Sequence, residues 1–516
     1  MRKFLPLAAA LILSAGAAFA QDAPRAGGTL TIALNSDIRS LEPGVNRDNN
    51  TDTVILQMFE GLVGYRMDLS LGPALAQSWT LSPDGRAYRF TLRPGVMFQN
   101  GTPLTAADVV WSWNRLIGQA GWTCRNYFDG TAGAKVVAVE APDPQTVVYR
   151  LEKPNAMFLK QLANVQCGVL VSSPDSVGKD GTWKTPIGTG PFQFKEWKRD
   201  QYITLKRFAG YRSSSAPANG YSGARKAYVD AVKFQVIPDE SATEAALETG
   251  AIDVLTGLPT EKIAAMKKAG LKVLSAPGLG WYTLLLNTKD PLLSNVKVRR
   301  AMAEAIDINQ IAAANPGGLV SGNPSAVSNS SAYFSAAFLA WPAYNPKHAA
   351  ALLKQAGYKG QPIEIETNKR YTDMYNNAVM IQAMLAAAGF NAKLEALDWA
   401  TQLNNYLNDK FQVQSFGFSG RFDPGLMYAA FLADRSKFQW AQWDDPKALA
   451  LLDESAATNN EARRKDIFLQ LHQMIRQQVP IIGLYYIPVV DAVSPKVQGY
   501  QPWGGRPRAW GVWKQN

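Results

Sequence analysis

The sequence predicts an α/β fold, and three observations carry that expectation. The second half alternates strand and helix patterns at regular intervals, and the first half mixes strands and helices between strong turn signals. A C-terminal tail containing Trp503, Trp510 and Trp513 is too apolar to stay solvated, so it is expected to fold back onto a core.

Length and composition set the outer limits. At roughly 150 residues per domain, 516 residues allow about three folding units. With 47% apolar and 18% charged residues the chain is ordinary globular material, which excludes a disordered or collagen-like protein. Only two cysteines and two histidines are present, which argues against a disulfide scaffold, a zinc ribbon or a His-rich metal centre. The formal net charge of +11 is dispersed along the chain and does not gather into a nucleic-acid patch.

The first 20 residues read as a cleavable leader. Arg2 and Lys3 precede an apolar run over residues 4–18, and Ala18-Phe19-Ala20 is an A-x-A cleavage site. The run falls short of the roughly 20 apolar residues that span a bilayer. Gln21 follows the cut, so no lipid anchor is expected, and the mature protein is expected in the periplasm. In an oxidising compartment Cys124 and Cys167 are expected to form a disulfide, with two buried free thiols as the alternative.

Taken in order, residues 29–33 alternate as a strand after Gly27-Gly28, and residues 52–62 have helical spacing. Residues 87–92 alternate between the turns Pro83-Asp84-Gly85 and Pro94-Gly95, and a helix over 105–116 is capped by Thr105. Residues 136–139 and 146–151 form a strand pair around Pro142-Asp143-Pro144. From residue 282 the pattern becomes strand 282–286, then helices 296–306 and 346–356. Strand 362–366 leads to helix 373–388, strand 392–397 to helix 399–408, and strand 411–418 to helix 425–433. Strands joined by single helices imply parallel pairing through right-handed crossovers. Helix 461–478 and strand 481–487 close the set.

Several blocks resemble one family closely. They are Ala74-Leu-Ala-Gln-Ser-Trp79, Ser82-Pro-Asp-Gly-Arg86, Tyr88-Arg-Phe-Thr-Leu92, Arg93-Pro-Gly-Val96, Asn100-Gly-Thr-Pro-Leu-Thr105 and Ala107-Asp-Val-Val110, followed by Gly188-Thr-Gly-Pro-Phe192, Val298-Arg-Arg-Ala301 and Leu397-Asp-Trp399. In this order they resemble the large extracytoplasmic solute-binding proteins of ABC transporters, family 5, which take dipeptides, oligopeptides, nickel complexes and related solutes. The resemblance implies a two-lobed periplasmic-binding-protein clamshell of type II, from the large cluster with an extra subdomain in lobe I. Lobe I would span 28–280, with a strand-rich extra subdomain about 53–180; lobe II, 281–488, would be inserted into it, and 489–516 would return to lobe I. It also implies delivery of a captured solute, most simply a short peptide, to permease subunits driven by cytoplasmic ATPases. A monomer without cofactor, resident metal or nucleic acid is expected.

Ligands of open parallel sheets collect at the carboxyl ends of the strands. In the second half those ends are residues 368–371, Asp398 with Trp399, and residues 419–423, a mix of cations, anions and aromatics that suits a zwitterion. By resemblance, Lys369-Arg370-Tyr371 stands where dipeptide-binding members hold a C-terminal carboxylate with arginine, and Asp423-Pro424 where their aspartate takes the amine; the alternatives are a solvated loop residue for Arg370 and a helix N-cap with its first-turn proline for Asp423-Pro424. Ser419 and Arg421 belong to a segment shorter and more basic than in those members, and Arg421 would favour an additional anionic group. Trp281 and Tyr282 are candidate side-chain pocket walls beside the hinge and Trp399 and Tyr371 candidate cleft walls, with core packing the alternative for Trp281, Tyr282 and Trp399, and residues 49–53 are a first-lobe stretch that could face the cleft. Opines, oligosaccharides, glutathione-like peptides and metal chelates are alternative cargoes.

The competing class is a periplasmic hydrolase built on paired carboxylates, such as Asp239 with Glu240 or Asp398 with Asp423. No G-x-x-x-x-G-K-[ST], G-x-S-x-G, H-E-x-x-H or C-x-x-C motif occurs. Gly188-Thr-Gly190 lacks the third glycine of a dinucleotide loop and reads as a structural turn. His348 and His472 lie away from the strand ends, so a metal would have to arrive inside a chelator.

Overall fold

The computed structural model describes residues 23–515 apart from 120, 123, 132, 316, 317 and 505. The expected leader lies outside the described residues. Among the described residues, no helix is long and apolar enough to cross a membrane.

Two sheets organise the chain. The first has seven strands in the order Phe192–Lys198, Tyr202–Arg207, Ala231–Val236, Thr29–Leu34, Val254–Thr256, Val489–Val493, Lys272–Ala276. Thr29–Leu34 lies at its centre, parallel to Ala231–Val236 with Thr29 opposite Ala231, and parallel to Val254–Thr256 with Ile32 opposite Val254. The second sheet has the order Asn391–Leu397, Pro362–Asn368, Val413–Phe418, Trp281–Leu286, Ile481–Tyr486. Its first three strands are parallel, joined by the crossover helices Thr372–Ala387 and Trp399–Leu407, as the alternation predicts. Trp281–Leu286 and Ile481–Tyr486 pair antiparallel to complete it and are buried along their whole length, which is why they read as unbroken apolar runs.

We call the bodies built on these sheets lobe I and lobe II. The chain passes between the sheets twice, from Ala276 to Trp281 and from Tyr486 to Val489. The two passages are in contact: the Ile487 amide donates to the Gly280 carbonyl at 2.8 Å, and a Cβ on Gly278 would lie 1.8 Å from the Ile487 carbonyl oxygen. Only glycine permits that approach.

Lobe I carries an antiparallel four-stranded sheet in the order Ala76–Leu81, Ala87–Leu92, Thr146–Leu151, Val136–Asp143. Helix Ala106–Gly118 packs on it, and at its start the Asp108 carboxylate accepts from the Thr105 amide at 2.8 Å. Cys124 and Cys167 are joined by a disulfide with their Cα atoms 5.6 Å apart, tying two loops of this part together. The tail returns as expected: Trp503 and Trp510 are buried in the core that contains Leu30, Ile32 and Leu34, and Trp513 is buried where its strand pairs with Val497–Gln498. Gly188-Thr-Gly190 is indeed a packed turn, since a Cβ on Gly188 would lie 2.2 Å from the Met58 carbonyl oxygen.

Two expected elements are corrected. The helix expected over residues 52–62 runs Asn49–Met58, because the Asp48 carboxylate caps the Thr51 amide at 2.7 Å and Glu60–Gly61 leaves to pair with Leu170–Val171. The helix expected over 425–433 is shortened to Pro424–Tyr428. Beyond it, Phe431 turns into the lobe II core against Trp281, and Leu432 pairs with Trp443.

Candidate functional site

The carboxyl ends of the lobe II strands lie beside the passages between the lobes. Asn368, the last residue of its strand, is fully buried; its amide nitrogen donates to Gln402 Oε1 at 2.7 Å, and its oxygen accepts from the Tyr371 amide at 2.9 Å. This fixes the turn after the strand and leaves Lys369 and Arg370 exposed. Lys369 Nζ lies 5.4 Å from the Tyr375 ring centre, and the Arg370 guanidinium 5.7 Å from that of Tyr371. Tyr371 meets Trp399 edge to face at 5.0 Å, and Trp399 backs onto Phe416 at 5.8 Å. Arg370, Tyr371 and Trp399 therefore form one continuous surface.

Ser419 is exposed, while Arg421 bends its Nη1 onto the Ser419 and Gly420 carbonyls at 3.1 and 3.3 Å. Among the described residues, Lys369, Arg370 and Arg421 form no ion pair with a carboxylate. Phe422 crosses to lobe I, stacking on Tyr65 at 4.9 Å and meeting Trp503 at 5.9 Å.

Asp423 is not an open acceptor. It is 1% exposed, and its Oδ1 accepts from the Gly425 amide at 2.8 Å as the cap of Pro424–Tyr428. Arg464, fully buried, donates to both oxygens at 2.7 and 2.8 Å, and Lys160 of lobe I donates to Oδ2 at 2.7 Å. Burial pushes the Asp423 carboxyl up, but Lys160 and Arg464 together outweigh it and hold it below the usual carboxylate range. Tyr333 joins the cluster, accepting from Lys160 Nζ at 2.6 Å and from Arg464 Nε at 2.8 Å and donating to Glu461. The cavity beside Asp423 measures about 10 Å³, room for no more than one water. Every acceptor direction that an ammonium would need is already occupied by Lys160, Arg464 and the Gly425 amide.

Lobe I meets lobe II along this same rim. The Ala156 amide donates to the Ala456 carbonyl at 2.8 Å, and the Ala332 amide to that of Asp68 at 2.7 Å. Trp281 lies in the lobe II core, fully buried, with its Nε1 donating to the Asn323 carbonyl at 3.2 Å, so it lines no pocket. Tyr282 is 7% exposed and packed edge to face against Tyr485 at 5.3 Å. Its neighbour Asp373 is held above the usual carboxylate range, first by burial and then by repulsion from Glu261 of lobe I.

A further opening is on lobe I. A cavity of about 670 Å³ sits at the carboxyl ends of Thr29–Leu34, Ala231–Val236 and Val254–Thr256, within the size range of small-molecule sites. Asn49, Asn50 and Thr53, from the stretch singled out in the sequence, line it. Arg47 grips Asp52 with its Nε at 3.1 and 3.0 Å, and Arg506 reaches Asn49 Oδ1 at 2.6 Å and Asp52 at 3.7 Å. Asp491, Glu240 and Trp503 complete the wall. Sequence reasoning missed Arg47, Asp491 and Arg506, which arrive from a loop, the strand after the second passage and the tail and share no local pattern.

Three of the four carboxylates proposed for a hydrolase are helix caps, and the fourth, Glu240, is the exposed first residue of the helix that Asp239 caps. Asp239 accepts from the Ala242 amide at 2.8 Å and Asp398 from the Thr401 amide at 3.0 Å, as Asp423 does from Gly425. Asp398 is held below its usual range, first by the Thr401 hydroxyl and then by the Thr401 amide. A carboxylate held ionised in this way is a poor general acid. Among the described residues no group of three or more His, Cys, Asp or Glu could hold a metal ion.

A family model described as "Bacterial extracellular solute-binding proteins, family 5 Middle" matches residues 70–440. The glutathione-binding protein GsiB of Salmonella typhi is 27% identical over 488 residues, covering 91% of each chain. The solved structure of HbpA2 from Haemophilus parasuis is 26% identical, with a TM-score of 0.81 over 95% of this chain and 100% of that one. That of DppA from Helicobacter pylori in complex with the peptide STSA is 27% identical, with a TM-score of 0.69 over 95% and 99%.

Proposed function

The chain belongs to family 5 of the bacterial extracellular solute-binding proteins, and on that premise we propose that it captures short peptides bearing more than one carboxylate, glutathione among them. The lobes close on the cargo, and the closed form is presented to the permease of an ABC importer whose ATPases lie in the cytoplasm. The protein works as a monomer in the periplasm and turns over no substrate.

The observation that carries this reading is the trio Lys369, Arg370 and Arg421, three cations without carboxylate partners among the described residues, at the strand ends where ligands of such sheets collect. A guanidinium fork matches a carboxylate bidentately. At about 1.5–3 kcal/mol for each charge-assisted bond, two or three such contacts together with apolar contact on Tyr371 and Trp399 are enough for micromolar affinity. The relatives named for glutathione binding support the same choice, since glutathione carries two carboxylates and one ammonium.

Titration calorimetry with glutathione and with its diamide, which lacks both carboxylates, tests the reading. Glutathione is expected to bind at about micromolar Kd or tighter and the diamide at least about tenfold more weakly. Equal affinities, or no binding of glutathione and other dicarboxylate peptides, would contradict it.

A further inference from the structure

The lobe I cavity is lined by a buried carboxyl group that pairs with no Lys or Arg among the described residues. Asp491 lies on Val489–Val493, the strand that follows the second passage between the lobes, and it lines the cavity of about 670 Å³ while only 3% exposed. Its Oδ1 accepts from the Gly257 amide at 3.0 Å and its Oδ2 from the Tyr500 hydroxyl at 2.7 Å. Both donors are neutral, and among the described residues no Lys or Arg pairs with it.

The other acidic groups around the cavity are treated differently. Asp52 is shared by Arg47 and Arg506, and Glu244 pairs with Lys262 at 3.1 Å. Asp48 caps a helix by accepting from the Thr51 amide at 2.7 Å. Of the acidic side chains that line the cavity, Asp491 alone is both buried and without a Lys or Arg partner among the described residues; Asp48 is half-buried and Glu240 exposed.

An ionised carboxylate removed from water without a cation is costly, and burial holds the Asp491 carboxyl above its usual range. A carboxylate has about four lone-pair directions, and the two neutral donors use two of them. The remaining directions suit an ammonium brought by the solute. The polarity of the two jaws agrees, because the lobe II strand ends present unpaired cations while this wall of lobe I presents unpaired anions.

We propose that Asp491 is the anchor for the cationic group of the bound solute, an ammonium seated in lobe I, while the solute's carboxylates reach across to Arg370 and Arg421 of lobe II. This rests on the peptide reading above and moves the amine site from Asp423, whose acceptors are filled, to the opposite lobe.

Calorimetry on the full mature chain with glutathione and N-acetylated glutathione tests the anchor. The unmodified protein is expected to prefer the free amine by roughly tenfold or more. Asp491→Asn should abolish that preference by weakening glutathione alone, whereas Tyr500→Phe, which keeps the charge, should preserve it. Equal affinity of the unmodified protein for the two probes overturns the anchor even if Asp491→Asn does not fold, and so does a preference that survives Asp491→Asn in a folded variant. In both cases the peptide reading stands. If the unmodified protein binds neither probe, nor any dicarboxylate peptide, the peptide reading fails and the anchor fails with it.

Discussion

Replacing Asp423 with Ala is expected to destabilise the folded chain by about 3–5 kcal/mol, read as a shift in the denaturant midpoint. The cause is what remains behind. Arg464 is fully buried and donates to both Asp423 oxygens, and without them its hydrogen-bond partners among the described residues are the Tyr333 hydroxyl, the Ser455 carbonyl and the Met157 sulfur. Lys160 loses its closest anion, leaving Glu461 at 3.8 Å. The cap of Pro424–Tyr428 is lost as well. The pH dependence has a definite sign: because the folded carboxyl titrates below its unfolded value of about 3.9, its contribution is fully present above that pH and disappears as the pH falls through the lower folded value. A folded Asp423→Ala variant with unchanged stability and impaired binding of free-amine peptides would restore the ligand role suggested by the family resemblance.

The double replacement Arg370→Ala, Arg421→Ala should leave stability within about 0.5 kcal/mol, since neither side chain has a carboxylate partner among the described residues. Binding of a dicarboxylate peptide should weaken far more. Two charge-assisted contacts at about 1.5–3 kcal/mol each correspond to roughly 10²- to 10⁴-fold in Kd. Arg370→Lys should recover only part of the loss, because an ammonium cannot make the bidentate pair. A double variant that binds as tightly as the unmodified chain would move the carboxylate site elsewhere.

Much of the fold is written in local pattern. The strand and helix alternation from Pro362 onward is a period-two to period-3.6 switch, and it places Arg370, Trp399 and Arg421 at one end of a parallel sheet. The roles of individual residues are less local. Asp423 followed by Pro424 has the same appearance whether it awaits a ligand or caps a helix, and the cations that occupy it lie 263 and 41 residues away. Trp281 reads as a pocket wall only until both faces of its strand are covered, after which an aromatic there is core. Residues 429–433 keep helical spacing because Phe431 and Leu432 serve the core, although the chain has already left the helix. The lobe I cavity is the extreme case, since Asp491 and Arg506 reach it only after lobe II has been completed.

The central claim is that the cleft is charged to receive a short peptide with more than one carboxylate. Mass spectrometry of the solute released from gently purified protein tests it most directly. The account predicts a peptide of two or more carboxylates and one free amine; a neutral sugar or a solute without carboxylates would contradict it.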